Sequence, residues 1–187
     1  MIRIHHPPLR RPANRQDETD QMADRDRFGV DVLTSILGSS FNGRLFVKVR
    51  ENEGRAYTLG GDYIPGVDIG TIYFYVLTTH ENIDFVKQMV KDEIVKLQTT
   101  PMSDQELQDM KNYMKGIYKA GLETNSSFGF VSSLDELYGF GYDFFKEYDK
   151  NIDQVDKDTV TRLAQKYLNF DQSVIVITSP INLKGKK

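Results

Sequence analysis

The fold expected for this chain depends on the stretch LTSILGSSFNGRLFVKVRENEGRAYTLGG at residues 33–61. It begins as an apolar helix, and Gly38 suits the position just after a helix end. A charged segment follows, and then a short strand that carries two glycines, which weaken it. Arg50 and Tyr57 stand seven positions apart at the entrance to this strand. This spacing raises the question of what a fixed positive charge and a phenol do together there.

The segments beside this stretch predict a helix on one side and a hairpin on the other. Residues 71–76 alternate between two faces, which is typical of a strand. Together with a Pro-Gly turn signal at 65–66, this predicts an antiparallel hairpin of residues 55–64 and 68–78. The apolar residues of the preceding helix recur at helical spacing: Val30, Leu33, Ile36 and Leu37.

Helices dominate the second half of the chain. We expect a helix over 81–98, one that begins at the capping box Ser103-x-x-Glu106, and one that begins after Asp156 as N-cap. Two further helices are expected at 126–138 and at 143–150, and a buried terminal strand at SVIVITS, residues 173–179. The fold class is therefore α+β, with an antiparallel β-sheet packed under several α-helices.

Length and composition exclude several functional classes. A chain of 187 residues with 39% hydrophobic residues fits one domain. The net charge of −3 is too small to favour nucleic acid or an anionic membrane, and the absence of Cys excludes disulfides. No signal peptide or transmembrane segment is found, and the localisation stays unknown. We expect a disordered segment at 1–22, one domain at 23–180 and a tail at 181–187.

The stretch 33–61 resembles the second-half domain of the insulinase/pitrilysin-type zinc peptidases and the mitochondrial processing peptidases. In that family Arg-Leu-Phe follows a Gly/Ser-rich turn, as at 44–46, and an Arg-Glu-x-x-Gly-x-x-Tyr motif enters a strand. Arg50, Glu51, Gly54 and Tyr57 match that motif. The resemblance covers about residues 25–180. It continues in these later segments: Glu93 to Leu97, Ser103 to Leu107, Lys111, Ile152 to Leu168, and Val174 to Ile177.

The resemblance implies a lobe of the LuxS and processing-peptidase type of metallohydrolase fold. The family domain begins with a further strand, which we do not identify in the Pro- and Arg-rich residues 1–24. A sheet without that strand would have an open edge, and an open edge favours pairing with another chain. A homodimer is therefore one expected partner arrangement.

The zinc motif of the family is missing. Its active half binds zinc through an inverted H-x-x-E-H helix, whose Glu activates water. The three histidines of this chain, His5, His6 and His80, do not form that pattern. We therefore expect no cofactor in this chain and no catalysis by it alone, with zinc in a partner half, in cis or in trans.

The resemblance assigns Arg50 and Tyr57 to substrate binding. In the family an Arg and a Tyr at this spacing bond the substrate backbone near the scissile bond. A guanidinium offers a fork of donors, and a phenol can donate to a developing oxyanion. The structural alternative is that Arg50 pairs with a carboxylate and Tyr57 packs on the sheet. Tyr73, Phe74 and Tyr75 are expected in the core or an interface rather than in a binding groove.

Two functional hypotheses follow. In the first, the chain is a non-catalytic, chamber-forming lobe of a zinc-dependent peptidase that binds extended peptide. In the second, it is a structural or assembly module, or a truncated remnant of the family, and does not bind peptide. The presence of both Arg50 and Tyr57 favours the first hypothesis, and the missing leading strand favours the second.

Overall fold

A four-stranded antiparallel sheet forms one layer of the molecule, seen in a computed structural model that describes residues 2–5, 26–38, 43–64, 70–100 and 102–179. The strands are β1 (Ile2–His5), β2 (Thr58–Ile64), β3 (Thr71–Leu77) and β4 (Val174–Ile177). Their spatial order is β2-β3-β1-β4. The expected hairpin is β2 and β3, with Gly61 opposite Phe74.

The leading strand is present, so the expectation that it is missing is wrong. Ile4 lies opposite Phe74 of β3 on one side and opposite Ile175 of β4 on the other. β1 thus occupies a central position, and the edges of the described sheet are β2 and β4 rather than a position left open by a missing β1. The other residues of the expected segment 1–22, and the whole tail 181–187, lie outside the described residues, and these domain boundaries stay predictions.

Six α-helices make up most of the rest of the described chain. They are α1 (Arg27–Gly38), α2 (Ile83–Thr99), α3 (Asp104–Gly121), α4 (Asn125–Leu137), α5 (Tyr148–Asp153) and α6 (Lys157–Tyr167). A π-helix, Phe46–Asn52, precedes β2, and a short 3₁₀-helix, Phe144–Glu147, leads into α5. This helix-rich α+β architecture confirms the predicted fold class.

The helix starts agree with the local signals. The Ser103 hydroxyl accepts a hydrogen bond of 3.0 Å from the backbone N–H of Glu106, and the Asp156 carboxylate accepts one of 2.7 Å from Thr159. Each bond satisfies a backbone donor that has no partner within its helix.

The core lies between the sheet and α1, α2, α3 and α6. Phe74 of β3 and Leu33 of α1 are both at most 1% exposed, as the alternating and helical patterns predict. The prediction that the last strand is buried is wrong: Val174 and Val176 are 58% and 45% exposed. β4 stands at the end of the described sheet, so fewer elements cover it.

Candidate functional site

An open cleft of about 580 Å³ lies where α1, β2, β3 and α3 meet. α1 contributes Asp31 and Ser35, and β3 contributes Tyr73 and Tyr75. Phe46 and Arg50 of the π-helix line the cleft as well. The cleft is therefore rich in aromatic rings and carries charges of both signs, a composition suited to a ligand with apolar and polar parts.

The two glycines of β2 make room for aromatic side chains. A Cβ on Gly60 would lie 2.7 Å from the Tyr75 hydroxyl, and a Cβ on Gly61 would lie 2.2 Å from the Phe74 ring. Both distances are impossible for real side chains, so Tyr75 lies across β2 on one face and Phe74 on the other. The rings of Tyr73 and Tyr75 are stacked at 6.5 Å. Thus Phe74 belongs to the core as predicted, whereas Tyr73 and Tyr75 line the cleft.

Arg50 projects from the π-helix with its guanidinium 4.9 Å from the centre of the Phe46 ring. This cation–π contact holds an exposed side chain over an aromatic surface. Among the described side chains no carboxylate lies within ion-pair distance of Arg50, and the alternative of a structural ion pair stays untested.

Tyr57 stands immediately before β2 and is 78% exposed. Its backbone N–H donates to the carbonyl of Leu77 at 2.9 Å, while its ring extends away from the core. The alternative in which Tyr57 packs on the sheet therefore does not hold. Arg50 and Thr58, the residue after Tyr57, line the cleft, whereas Tyr57 is not among the described lining residues.

Two carboxylates of the cleft escaped the sequence prediction. Burial raises the pKa of Asp31 to about 7, with a smaller contribution from the negative charge of Asp62 and an opposing one from Arg27. Burial also raises the pKa of Asp62, although the backbone N–H of Tyr63 opposes this. The signal for Asp31 was a carboxylate between two valines of an apolar helix, Val30 and Val32.

No zinc site is found in the part of the chain that the structure describes, where no three His, Cys, Asp or Glu residues are grouped for metal binding. His80 is exposed at the start of a 3₁₀-helix, His80–Asn82, as its sequence context predicts. His5 belongs to β1, and His6 lies outside the described residues.

Residues 14–114 match the family described as the peptidase M16 inactive domain, and this match includes more than half of the chain. The chain belongs to that family. The resemblance to the insulinase-type peptidases is thereby confirmed, and the M16 inactive domain is the non-catalytic one that the missing zinc motif predicts.

Relatives of this M16 inactive domain include peptidases and a non-peptidase. It is 25% identical over 156 residues to the uncharacterized zinc protease YmxG of Bacillus subtilis, covering 83% of this chain and 38% of that protein. It is 27% identical over 142 residues to the non-peptidase homolog YmxG of Helicobacter pylori, covering 74% of this chain and 30% of that one. The chain thus spans 30% to 38% of these relatives' length.

The fold agrees with that of a solved domain. The inactive peptidase domain of a zinc protease candidate from Bordetella parapertussis superimposes with a TM-score of 0.73 at 19% identity, covering 97% of this chain and 94% of that one. No helix in the described ranges is long and apolar enough to cross a membrane.

Proposed function

We propose that this M16 inactive domain is a non-catalytic lobe of a zinc-dependent peptidase. It forms one wall of a chamber for extended peptide and works with a zinc-bearing half, in cis or in trans. The observation that carries this proposal is the position of Arg50 in an aromatic cleft beside the edge strand β2.

The position of β2 supports binding of an extended chain. β2 is the first strand in the order β2-β3-β1-β4, so β3 is its only neighbour within the described sheet. An edge strand can pair with an added peptide through backbone hydrogen bonds, while neighbouring pockets receive alternate side chains. The cleft, which Thr58, Gly60 and Asp62 of β2 line, supplies such a pocket.

Arg50 and Tyr57 supply donors for the peptide backbone. Arg50 is exposed and its guanidinium packs against the Phe46 ring, so its fork of N–H groups is available to a substrate carbonyl. The exposed hydroxyl of Tyr57 can donate to the same peptide or to an oxyanion formed on it. The water that attacks the peptide bond would be activated by zinc in the partner half.

The test is turnover of a quenched fluorescent peptide by this chain reconstituted with an H-x-x-E-H half. Arg50→Lys keeps the charge and loses the fork, and Tyr57→Phe loses only the hydroxyl. We expect Tyr57→Phe to lower turnover on the order of a hundredfold, as loss of one oxyanion donor does. Arg50→Lys is expected to weaken it by roughly tenfold or more.

Matched controls are Arg55→Lys and Tyr142→Phe. Arg55 is an exposed arginine bonded to Asn82, and Tyr142 is 66% exposed away from the cleft. Both controls should keep wild-type turnover. Full activity of both cleft variants, with unchanged thermal melts, would show that the pair has no role in the substrate chamber.

A structural or assembly module remains the second candidate. An exposed apolar surface on and beside α4 favours it, since Phe130, Leu137 and Tyr142 are each at least 65% exposed. Large exposed apolar side chains often mark protein contacts. The non-peptidase relative from Helicobacter pylori gives this candidate a precedent. Self-association or complex formation without Arg50-dependent peptide binding would favour it over the peptidase lobe.

A further inference from the structure

Helix α4 places a carboxylate where a helix normally places an apolar residue. Asp135 is its buried residue, at 9% exposure, while Phe130 and Leu137 are 65% and 76% exposed. Among the described residues, no hydrogen-bond donor reaches the Oδ2 atom of Asp135, which is buried. A buried charged oxygen without a donor is costly, so such an atom indicates a position where a ligand can supply the donor.

This carboxylate lines a second cavity, of about 350 Å³, that is distinct from the cleft at β2. Five aromatic residues form much of its wall: Phe28, Tyr118, Tyr138, Phe144 and Tyr148. Tyr118 and Tyr148 are stacked at 3.7 Å and also line the cleft, so this pair separates the two spaces. The cavity is at the small end of the range for ligand pockets, roughly 300–1,000 Å³.

Arg27 and Asp135 are the two charged residues among those that line this cavity. Arg27 lines it and interacts electrostatically with both Asp135 and Asp31. Burial nevertheless raises the pKa of both carboxyl groups. Burial also raises the pKa of the Tyr118 and Tyr148 phenols, which keeps them neutral. The neutral phenols add no charge to the cavity, and the buried Oδ2 of Asp135, which lacks a partner among the described residues, is the feature that favours a cationic donor.

We propose that this cavity binds a small organic ammonium ion. The ammonium group donates a hydrogen bond to Oδ2 of Asp135, and the surrounding ring faces stabilise its charge and cover its apolar body. A free amine and a lysine side chain of a peptide share this chemistry. The proposal does not rest on peptide binding in the cleft, because Asp135 and the cavity belong to a different part of the surface.

Isothermal titration calorimetry of the full chain with 2-phenylethylammonium tests the site. We expect saturable binding of one ligand, with a Kd below about 1 mM. The neutral analogue 2-phenylethanol has the same shape without the charge, and it should bind at least about tenfold more weakly. Nα-acetyl-lysine methylamide distinguishes the sources: if it competes, the natural ligand is a peptide lysine, and if it does not, a free amine.

Asp135→Asn keeps the shape of the side chain and removes its charge. It should lower the affinity for 2-phenylethylammonium at least about tenfold. The melting temperature without ligand should stay unchanged or rise, because a buried charge that lacks a donor has been removed. A purely structural Asp135 would instead lower the melting temperature and leave the affinity unaltered. The matched control is Glu136→Gln, the exposed neighbour on the same helix, which should bind as the wild type does.

A second variant keeps Asp135 and fills the space. Val131 lines the cavity, and Val131→Phe should abolish binding by occluding it. If Asp135→Asn fails to fold, Val131→Phe still tests whether the ligand binds in this cavity. The proposal is overturned by any of three results: no saturable heat with 2-phenylethylammonium, equal binding of the alcohol, or unchanged binding in folded Asp135→Asn or Val131→Phe.

Discussion

Arg44 and Glu106 form a two-bond ion pair, with Nε–Oε1 at 2.6 Å and Nη2–Oε2 at 2.9 Å. The pair joins the residues just before the π-helix to the first turn of α3. It also changes the expected capping box at Ser103. The backbone N–H of Glu106 bonds the Ser103 hydroxyl as predicted, but the Glu106 carboxylate bonds Arg44. The pair is only partly exposed, at 18% and 33% of the two side chains, so solvent screens it incompletely.

Arg44→Lys should lower the free energy of unfolding by about 1–2 kcal/mol, because lysine keeps the charge but cannot form both bonds. Urea denaturation followed by circular dichroism measures this change. Arg55→Lys is the control: Arg55 is exposed and bonds a neutral side chain, so its replacement should change stability by less than about 0.5 kcal/mol. Equal effects of the two variants would show that the Arg44 pair adds no specific stability.

Gly61→Ala and Gly116→Ala should have opposite effects on stability. The new methyl at 61 would meet the buried Phe74 ring, and we expect a loss of about 1–3 kcal/mol from overpacking. Gly116 lies in the interior of α3 with nothing within 4 Å of an added Cβ. Alanine there should raise stability by about 0.5–1 kcal/mol through its higher helix propensity. Thermal melts of both variants suffice, and a tolerated Gly61→Ala would contradict the close approach of β2 and Phe74.

Asp31 should make stability depend on pH. Its pKa is about 7 in the folded chain against 3.8 for an ordinary aspartate, so between pH 4 and 7 the folded state binds more protons at this carboxyl than the unfolded state does. Stability therefore falls as pH rises through that window and levels off above it. Asp31→Asn removes the ionisation. At pH 8 its free energy of unfolding should exceed that of the wild type by at least about 1 kcal/mol, and at pH 4 the two should differ little. Urea denaturation at both pH values measures the difference.

Asp26→Asn should change stability with a pH dependence opposite to that of Asp31→Asn. Burial opposes ionisation of Asp26, but hydrogen bonds from Lys166, Arg162 and Tyr167 outweigh it and lower its pKa. A lowered pKa contributes stability that is complete above the ordinary aspartate pKa of 3.8 and is lost as the pH falls through the pKa of the folded state. Asp26→Asn should thus be less stable than the wild type at pH 7, and this loss of unfolding free energy should disappear in acid. The assignment of Asp31 fails if its variant shows the same profile as Asp26→Asn.

The isolated chain should contain no stoichiometric zinc after dialysis against a weak chelator. The reason is chemical: a stable zinc site needs three or four close nitrogen, sulfur or carboxylate ligands, and the three histidines lie in two distant segments. Elemental analysis by mass spectrometry measures the metal content. Zinc at one equivalent per chain would mean that ligands outside the H-x-x-E-H pattern bind the metal.

Local signals in the sequence predicted the elements that depend on local physics. Ser103 and Asp156 start helices because their side chains bond backbone donors three residues away, and the β2–β3 hairpin follows from alternation around a turn. The family resemblance directed attention to Arg50. Its place in the cleft and its contact with Phe46 required the structure.

The features that were missed depend on distant parts of the chain. β1 has only four residues, and its pairing with β3 and β4 leaves no alternating pattern long enough to detect. β4 is exposed because it is an edge strand of the described sheet, and its apolar composition does not reveal this position. Asp31 and Asp62 lie in one cleft only because α1 packs on β2. Asp135 lines a cavity only because the residues around it enclose one.

The central place of β1 has a consequence for the order of folding. Ile2 of β1 lies opposite Ile177 of β4, which stands 175 positions later in the sequence. The sheet therefore cannot be completed until almost all of the sequence is available, although the β2–β3 hairpin can form early. Contacts between such remote segments slow folding, because the loop must close before they contribute. The refolding rate should thus be limited by the docking of β1 between its two neighbours.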